Sequence, residues 1–401
     1  MKSIEGGVTA PEGYRASGVP AGIKEGSEKR DCALIVSTSP ATVAGTFTQN
    51  VMKSPPVFWN IDRCANGHAR AVFINSGNAN AATGAKGMEN VKEMAVAVAN
   101  GAPYGPEEVC ICSTGVIGVP LPMDRIENGI DDCIDALSHS GSPHAAEAIM
   151  TTDTVPKERA LEITIDGKSV RLGAIAKGSG MIAPNMATMI CVVTTDAAVS
   201  HEVLSPLLSS VVNESFNRIG IDNDMSTSDT VLVFANGASE TETLTPETDG
   251  YKVFAGALLA LCQDMARDLV RDGEGATKFV EIAVTGTRND DEAKSIARAI
   301  GNSQLCKTAF FGQDPNWGRF ACAAGYAGVD FDPSRLQIGL NDVVLCRDGL
   351  VADYREKDAA AVMLDPEFTI HVSVGSGSGC AFYWTSDLSH DYVSINADYR
   401  S

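Results

Sequence analysis

The chain has 401 residues, 44% of them apolar and 20% charged, enough for two or three packed units and not for a disordered segment. Its 31 basic residues against 51 acidic ones leave a net charge of −20, which disfavours nucleic acid and anionic membrane surfaces as partners. No apolar run of about 18 residues occurs, and the opening MKSIEGGVTAPEGY has neither an apolar signal core nor an Arg-rich amphipathic pattern, so membrane spans, secretory signals and transit peptides are not expected.

In chain order, β-rich runs are expected at 33–37, 71–74 and 109–112. A helix follows over 123–138, with Ile126, Ile130, Ile134 and Leu137 on one face. Strands are expected at 161–165 and 189–194, then a helix over 201–218 that lines up Leu204, Leu207, Leu208, Val211 and Phe216. After a strand at 231–235, the longest helical pattern covers 251–271, with Leu258, Leu261, Met265 and Leu269 in its stripe. A domain joint is expected near 275–290. Asn289, Asp290 and Asp291 then read as a capped helix start with acids facing its dipole. Strand-like runs at 371–374 and 380–384 flank the Gly-rich 375–379, which reads as a hairpin turn. Mixed strands and helices exclude all-α and all-β folds. No strand–GxGxxG–helix unit and no GxxxxGK[ST] occurs, so a nucleotide fold is not indicated.

The 11 cysteines are odd in number and scattered, most within apolar runs, the habit of small hydrophobes in a reducing compartment. Cys110 and Cys112 would share one face of a strand, but no His or second Cys pair stands at a zinc spacing, so no metal site is expected.

The segment with the most chemistry runs Lys177-Gly178-Ser179-Gly180-Met181-Ile182-Ala183-Pro184-Asn185-Met186-Ala187-Thr188. A bent Gly/Pro/Asn approach ends in a small residue, Ala187, and a hydroxyl, Thr188, just before an apolar strand. Those parts suffice for peptide self-cleavage. The Thr188 hydroxyl attacks the Ala187 carbonyl, and water opens the resulting ester. A new N-terminal threonine carries an α-amine that titrates at about 7.7–8.0, so it can serve as base for its own hydroxyl. Local composition alone favours a loop entering a strand whose Thr is simply a good β-former.

This wording resembles the autocleavage and nucleophile signature of the ornithine acetyltransferase family, the ArgJ-type glutamate N-acetyltransferases. Further stretches are similar to the family in the same order: Phe73 to Ala81, Ser113 to Gly118, Ala148 to Thr154, Arg271 to Lys278, Asp314 to Arg319, and the closing WTSDLSHDYVSINADYRS. The resemblance implies an α/β (α+β) chain with a DmpA/ArgJ-like αββα sandwich over 1–280, cut between Ala187 and Thr188. A smaller C-terminal α/β domain over 281–401 would follow, its tail completing a substrate site. The products would be an alpha chain, 1–187, and a beta chain, 188–401, staying associated as a heterotetramer of two of each or a larger assembly.

By the same resemblance Thr188 is the nucleophile, and Thr114 and Gly115 form the oxyanion hole. The chemistry agrees, because acetyl transfer passes through a tetrahedral oxyanion that fixed donors stabilise. Thr151, Lys177, Thr188, Glu274, Asn396 and Ser401 match substrate-contacting positions. Lys177 is suited to the carboxylate of an amino-acid substrate and Glu274 to its amine. In the family the tail docks on the site of a neighbouring subunit. Asn75, Asn78 and Asn80 read as turn residues, Cys112, Met181 and Met186 as packing, and Trp317 as either pocket-lining or packing.

The implied activity is ping-pong transfer of the acetyl group of N2-acetyl-L-ornithine to L-glutamate through acetyl-Thr188, in arginine biosynthesis and in the cytoplasm. Transacetylation itself needs no cofactor or metal. Acetyl-CoA is a second acetyl donor for some members and so a candidate co-substrate. The competing reading is an aminopeptidase or amidohydrolase of the same fold. A more distant one is an uncleaved amino-acid-binding protein.

Overall fold

A computed structural model describes residues 1–23, 26–183 and 189–398. The first half contains β1 (Lys2–Ile4), β2 (Tyr14–Val19), β3 (Cys32–Phe47), α1 (Pro55–Asn66), β4 (His68–Asn78), α2 (Gly84–Ala99) and β5 (Val109–Val116). Next come α3 (Met123–Asp135), α4 (Ser142–Ala148), β6 (Lys157–Ile165), β7 (Lys168–Lys177) and β8 (Ile190–Thr195). Then follow α5 (His201–Asn213), β9 (Ile219–Gly220), β10 (Thr230–Ala235) and the long α6 (Asp249–Arg271).

Eight strands run in the order β1-β6-β7-β8-β10-β3-β4-β5, with β2 added on β3. The period-2 alternation of each strand splits its side chains between three buried clusters. On β4, Val72 and Ile74 join one cluster while Ala71 and Phe73 join another. On β8 and β10, Val192, Leu232 and Phe234 share the cluster of Val72, whereas Cys191, Val193, Val231 and Val233 face α5 and α6. The shared cluster is therefore sandwiched. One half of the long sheet (β6, β7, β8, β10 and the end of β3) stacks on the other half (β2, the start of β3, β4, β5). Helices α5 and α6 cover one outer face, and α2 and α3 cover the other. This is the expected αββα arrangement.

The expected stripe of α6 is fully buried at Leu258, Leu261, Met265 and Leu269, each contributing about 1.5–3 kcal/mol. Thr248 caps that helix by accepting from the Tyr251 amide. The helix expected over 201–218 stops at Asn213. Ser215 Oγ donates to Val211 O at 2.6 Å, and a short 3-10 turn, Phe216–Arg218, follows. The helix expected over 123–138 ends at Asp135.

The second sheet belongs to β11 (Phe279–Gly286), β12 (Gln337–Leu340), β13 (Val343–Arg347), β14 (Leu350–Val351), β15 (Glu367–Ser373) and β16 (Gly377–Ser386). Helices α7 (Asp290–Gly301), α8 (Gln304–Phe311), α9 (Trp317–Gly325), α10 (Glu356–Leu364) and α11 (His390–Asp398) complete the chain. As expected, Asn289 caps α7, accepting from the Glu292 amide at 3.0 Å. Trp317 packs against the core of this sheet. The sheet order is β14-β13-β12-β15-β11-β16-β9.

The hairpin expected around 375–379 does not form. β15 and β16 do not pair with each other, because β11 lies between them. The glycine run instead crosses the end of β11. A Cβ on Gly377 would stand 1.9 Å from Thr287 O, and one on Gly379 would stand 2.3 Å from Asn289 O.

β9, which lies between α5 and β10 in the chain, closes the second sheet, and Phe279 and Trp384 pack into the core under α6. That seam fixes where β16 delivers α11. Nine of the cysteines are buried, and Cys322 and Cys380 are exposed. Cys110 and Cys112 lie in the same cluster, on one face of β5.

Candidate active site

Thr188, its partner in the expected cut Ala187, and Ser401 lie outside the described residues, as does Met186. Thr114, Gly115, Thr151, Lys177, Glu274 and Asn396 are described. They fall into two groups joined by the segment that follows β7.

The first group combines the ends of β5 and β7 with the turn after α4. Lys177 closes β7, and its Nζ donates to Thr151 Oγ1 at 2.8 Å and to Thr114 Oγ1 at 3.4 Å. Three positions spread over more than 60 residues thus meet at one ammonium. Gly115 has φ +127°, and a Cβ there would stand 2.3 Å from the Gly77 carbonyl carbon on the adjacent β4. Only glycine permits that approach. Beside it, Ser113 Oγ donates to Asn75 Oδ1 at 2.6 Å, and Asn75 Nδ2 donates to Asn78 O at 2.9 Å. Asn75 and Asn78 thus lie within β4 and not in a turn as expected, whereas Asn80 follows the strand at φ +47°.

The second group faces the 178–183 segment. Glu274 N donates to Ser179 O at 2.8 Å, and a Cβ on Gly180 would sit 2.4 Å from the Glu274 carboxyl carbon. Asn396, on α11, donates from Nδ2 to Glu274 Oε2 at 2.7 Å. Asn396 thereby brings α11 onto Glu274 of the same chain. The turn before α11 explains this. Asp387 accepts from the Thr277 and Lys278 amides, Ser389 Oγ donates to Gly275 O, and Tyr392 OH donates to Asp222 Oδ2. Together these bonds lash the tail to the loop that carries Glu274.

A buried charge cluster underlies both groups, and the sequence reading missed it. Asp153 accepts from Lys157 Nζ at 2.8 Å, from the Gly178 amide at 2.7 Å and from the Thr151 amide at 3.0 Å. Lys157 also binds Asp272, which holds Thr154 and, through its carbonyl, Ser179 Oγ. Asp153 and Asp272 stand inside stretches quoted for the resemblance, but charged residues read by default as solvated surface. Only the fold reveals that they are buried.

Burial alone would push the Asp153 carboxyl up. The ammonium groups of Lys177 and Lys157 and the Gly178 amide outweigh it and hold the carboxyl at about 2. Burial lowers Lys177 below the ordinary lysine value, opposed chiefly by Asp153. Asp229, which accepts from the Met189 amide at 3.0 Å just past the expected cut, is driven well above the carboxylate range by burial. Among the described residues no group of three or more His, Cys, Asp or Glu side chains is placed to hold a metal ion, and no helix is long and apolar enough to cross a membrane. A cavity of about 610 Å³ opens beside the first group, lined by Ser76, Gly77, Met150, Thr151 and Asp153.

The ArgJ family model matches residues 15–401. The chain belongs to the ArgJ family. It is 46% identical over 402 residues to the arginine biosynthesis bifunctional protein ArgJ of Symbiobacterium thermophilum, covering 100% of both chains. Identity to the Geobacter sulfurreducens protein of the same name is also 46%, over 97% of this chain and 99% of that one. A crystal structure of the Bacillus halodurans arginine biosynthesis bifunctional protein argJ aligns with a TM-score of 0.50 at 42% identity. It covers 51% of this chain and 97% of the solved chain. ArgJ membership thus extends over both sheets and the tail that bears Asn396.

Proposed function

We propose that this ArgJ-family chain cuts itself before Thr188 and uses the freed threonine to carry acetyl groups from N2-acetyl-L-ornithine to L-glutamate, within arginine biosynthesis. The observation that carries the reading is the convergence of Thr114, Thr151 and Lys177 at hydrogen-bonding distance, at the mouth of the strand that leads into the 178–188 segment. Glu274, held by Asn396, meets Ser179 at the start of that segment.

In the first half-reaction Thr188 Oγ bonds to the acetyl carbon and passes its proton to the Thr188 α-amine. The carbonyl oxygen becomes an oxyanion at Thr114 Oγ1 and the Gly115 amide. The carbon–nitrogen bond to ornithine then breaks, and the amine leaves with the proton held by the threonine ammonium. In the second half-reaction the glutamate amine attacks acetyl-Thr188 by the same steps in reverse, giving N-acetylglutamate. Water must be kept out meanwhile, or the ester hydrolyses. Glu274, whose carboxylate already accepts from an amide nitrogen, is suited to the substrate amine. The hydrolase reading is not favoured, because the ArgJ match is to named biosynthetic proteins along their whole length.

The cut would fall between β7 and β8, which are hydrogen-bonded neighbours from Leu172↔Thr195 to Lys177↔Ile190. Fragments 1–187 and 188–401 therefore stay joined through a sheet interior, as pairs that assemble further. The transfer uses no metal or resident cofactor, acetyl-CoA is a second acetyl donor, and the enzyme works in the cytoplasm.

Denaturing mass spectrometry of the purified protein, with Thr188→Ala alongside, tests the reading. Two fragments in the wild type, the larger starting at Thr188 and gaining an acetyl group from N-acetylornithine, are expected, with an uncut variant. A single intact chain in both samples would refute it.

A further inference from the structure

A lysine ammonium has three N–H donors and no acceptor. The hydroxyl oxygens of Thr114 and Thr151 must therefore accept from Lys177, which leaves each hydroxyl proton to point away from it. Were the amine neutral, either hydroxyl could turn round and donate to its lone pair. Thr114 would then present a lone pair, not a proton, to a developing oxyanion. The charge on Lys177 thus decides which way the hydroxyl dipole faces.

Asp153 is the group that holds this arrangement. Its Oδ2 stands 4.0 Å from Lys177 Nζ and accepts the Thr151 amide, while Oδ1 accepts the Gly178 amide next to Lys177. One carboxylate thereby fixes the backbone on both sides of the Lys177–Thr151 bond. Asp153 is itself tethered by Lys157, which Asp272 holds from the far side. The four charges balance, with all four residues buried.

We propose that Asp153 and Lys177 are positioning residues that set the hydroxyl direction of the oxyanion hole, the lysine by donating to Thr114 and Thr151 and the aspartate by keeping that lysine charged and in place. The inference rests on the assignment of Thr114 to the oxyanion hole. It gives Lys177 a different task from pairing a substrate carboxylate.

The charged groups that face Lys177 are Asp153, Lys157, Asp229 and Glu274. Lys157 opposes its charge. Asp229 is pushed well above the carboxylate range by burial, and Glu274 is engaged by Asn396. Asp153 is therefore the principal support of the ammonium. Because burial lowers Lys177, raising the pH discharges it, and kcat falls on an alkaline limb. Taking away an anion within about 4–6 Å moves such a group by about 1–3 pH units, here downward.

The experiment is a set of pH profiles of kcat and KM for acetyl transfer from N-acetylornithine to glutamate, using the processed enzyme and its Asp153→Asn variant. The alkaline limb of kcat should move to lower pH by about one unit or more. A purely structural lesion would lower kcat at every pH and leave the limb in place, and that result would overturn the proposal. Lys177→Met supplies a second readout should Asp153→Asn fold poorly. A loss in kcat of about 10²-fold, the scale of one oxyanion donor, is expected with KM for N-acetylornithine held within about twofold. A rise in KM with kcat intact would mean that Lys177 binds the substrate carboxylate, and would also overturn the proposal. Mass spectrometry of the same wild-type sample separates the two levels. Absence of an acetyl group on the 188–401 fragment sinks the threonine mechanism itself, whereas a normal acetyl-enzyme with an unmoved limb sinks only the positioning role.

Discussion

Replacing Lys157 by methionine removes the cation from the centre of the buried cluster while keeping most of the side-chain volume. Lys157 is 3% exposed, and the side chains of its partners Asp153 and Asp272 are 0% and 6% exposed. In the variant the nearest remaining ammonium, Lys177, stands 4.0 Å from Asp153, and Asp272 loses its ion-pair partner. Breaking a buried pair by deleting one partner costs about 3–5 kcal/mol, because the other charge is left buried without compensation. That loss should appear in urea unfolding at pH 7, measured on the uncut Thr188→Ala background so that unfolding releases one chain and not two. The pH dependence follows in sign. In the wild type the folded Asp153, near 2, lies below the unfolded value of about 3.9, so its contribution is complete above about pH 4 and is lost toward pH 2. In the variant one of the two ammonium groups that offset burial at Asp153 is gone, so its folded carboxyl rises, the folded state binds more protons, and stability recovers as the pH falls. The gap between wild type and variant should therefore narrow from pH 7 to pH 5. A loss under about 1 kcal/mol at pH 7, the worth of a surface pair, would refute the buried-cluster argument, as would a gap that does not change with pH.

Other substitutions probe separate parts of the structure. Gly115→Ala places a Cβ 2.3 Å from the Gly77 carbonyl carbon at a positive φ, so the strand end must retreat; kcat should fall about 10²–10³-fold, as measured by steady-state transfer assays. Asn396→Ala frees Glu274 and unfastens α11, and should raise KM for the amino-acid substrates more than it lowers kcat, which initial-rate kinetics would resolve. Lys307 is buried and its ammonium is pushed down to about 7 by burial, below the unfolded value of about 10.4. Between those values the unfolded state binds more protons, so stability should rise with pH above about 7. Lys307→Met should abolish that rise in urea unfolding across pH 7–9.5.

Much of the sandwich was legible because its strands are buried on both faces and read as short apolar runs. The stripe of α6 and the Asn289 cap were equally readable, since both follow from local spacing. The glycine-rich 375–379 segment was misread because a hairpin is a local pattern, whereas insertion of β11 between β15 and β16 is a property of the topology. At the site, ordered motifs pointed to Thr114, Thr151, Lys177, Glu274 and Asn396, and the fold brings these into two adjoining groups. The role of Asp153, Lys157 and Asp272 was not legible. Three charged residues spread from 153 to 272 look like solvated surface until the sheet buries them together. Asp229 escaped for the same reason, since nothing in its neighbours announces a carboxyl closed off from water.

The site draws Thr114, Thr151 and Lys177 from one side of residue 188, and Glu274 and Asn396 from the other, while β7 and β8 knit the two sides together inside a sheet. On the proposed cut, the sandwiched cluster that unites Val72 and Ile74 with Val192 and Leu232 is built from both fragments, so neither can complete the sandwich alone. Genetically the locus should then behave as one indivisible unit. A cell carrying one allele broken in the first fragment and another broken in the second should stay auxotrophic, because folded pairs cannot trade halves once they have been cut.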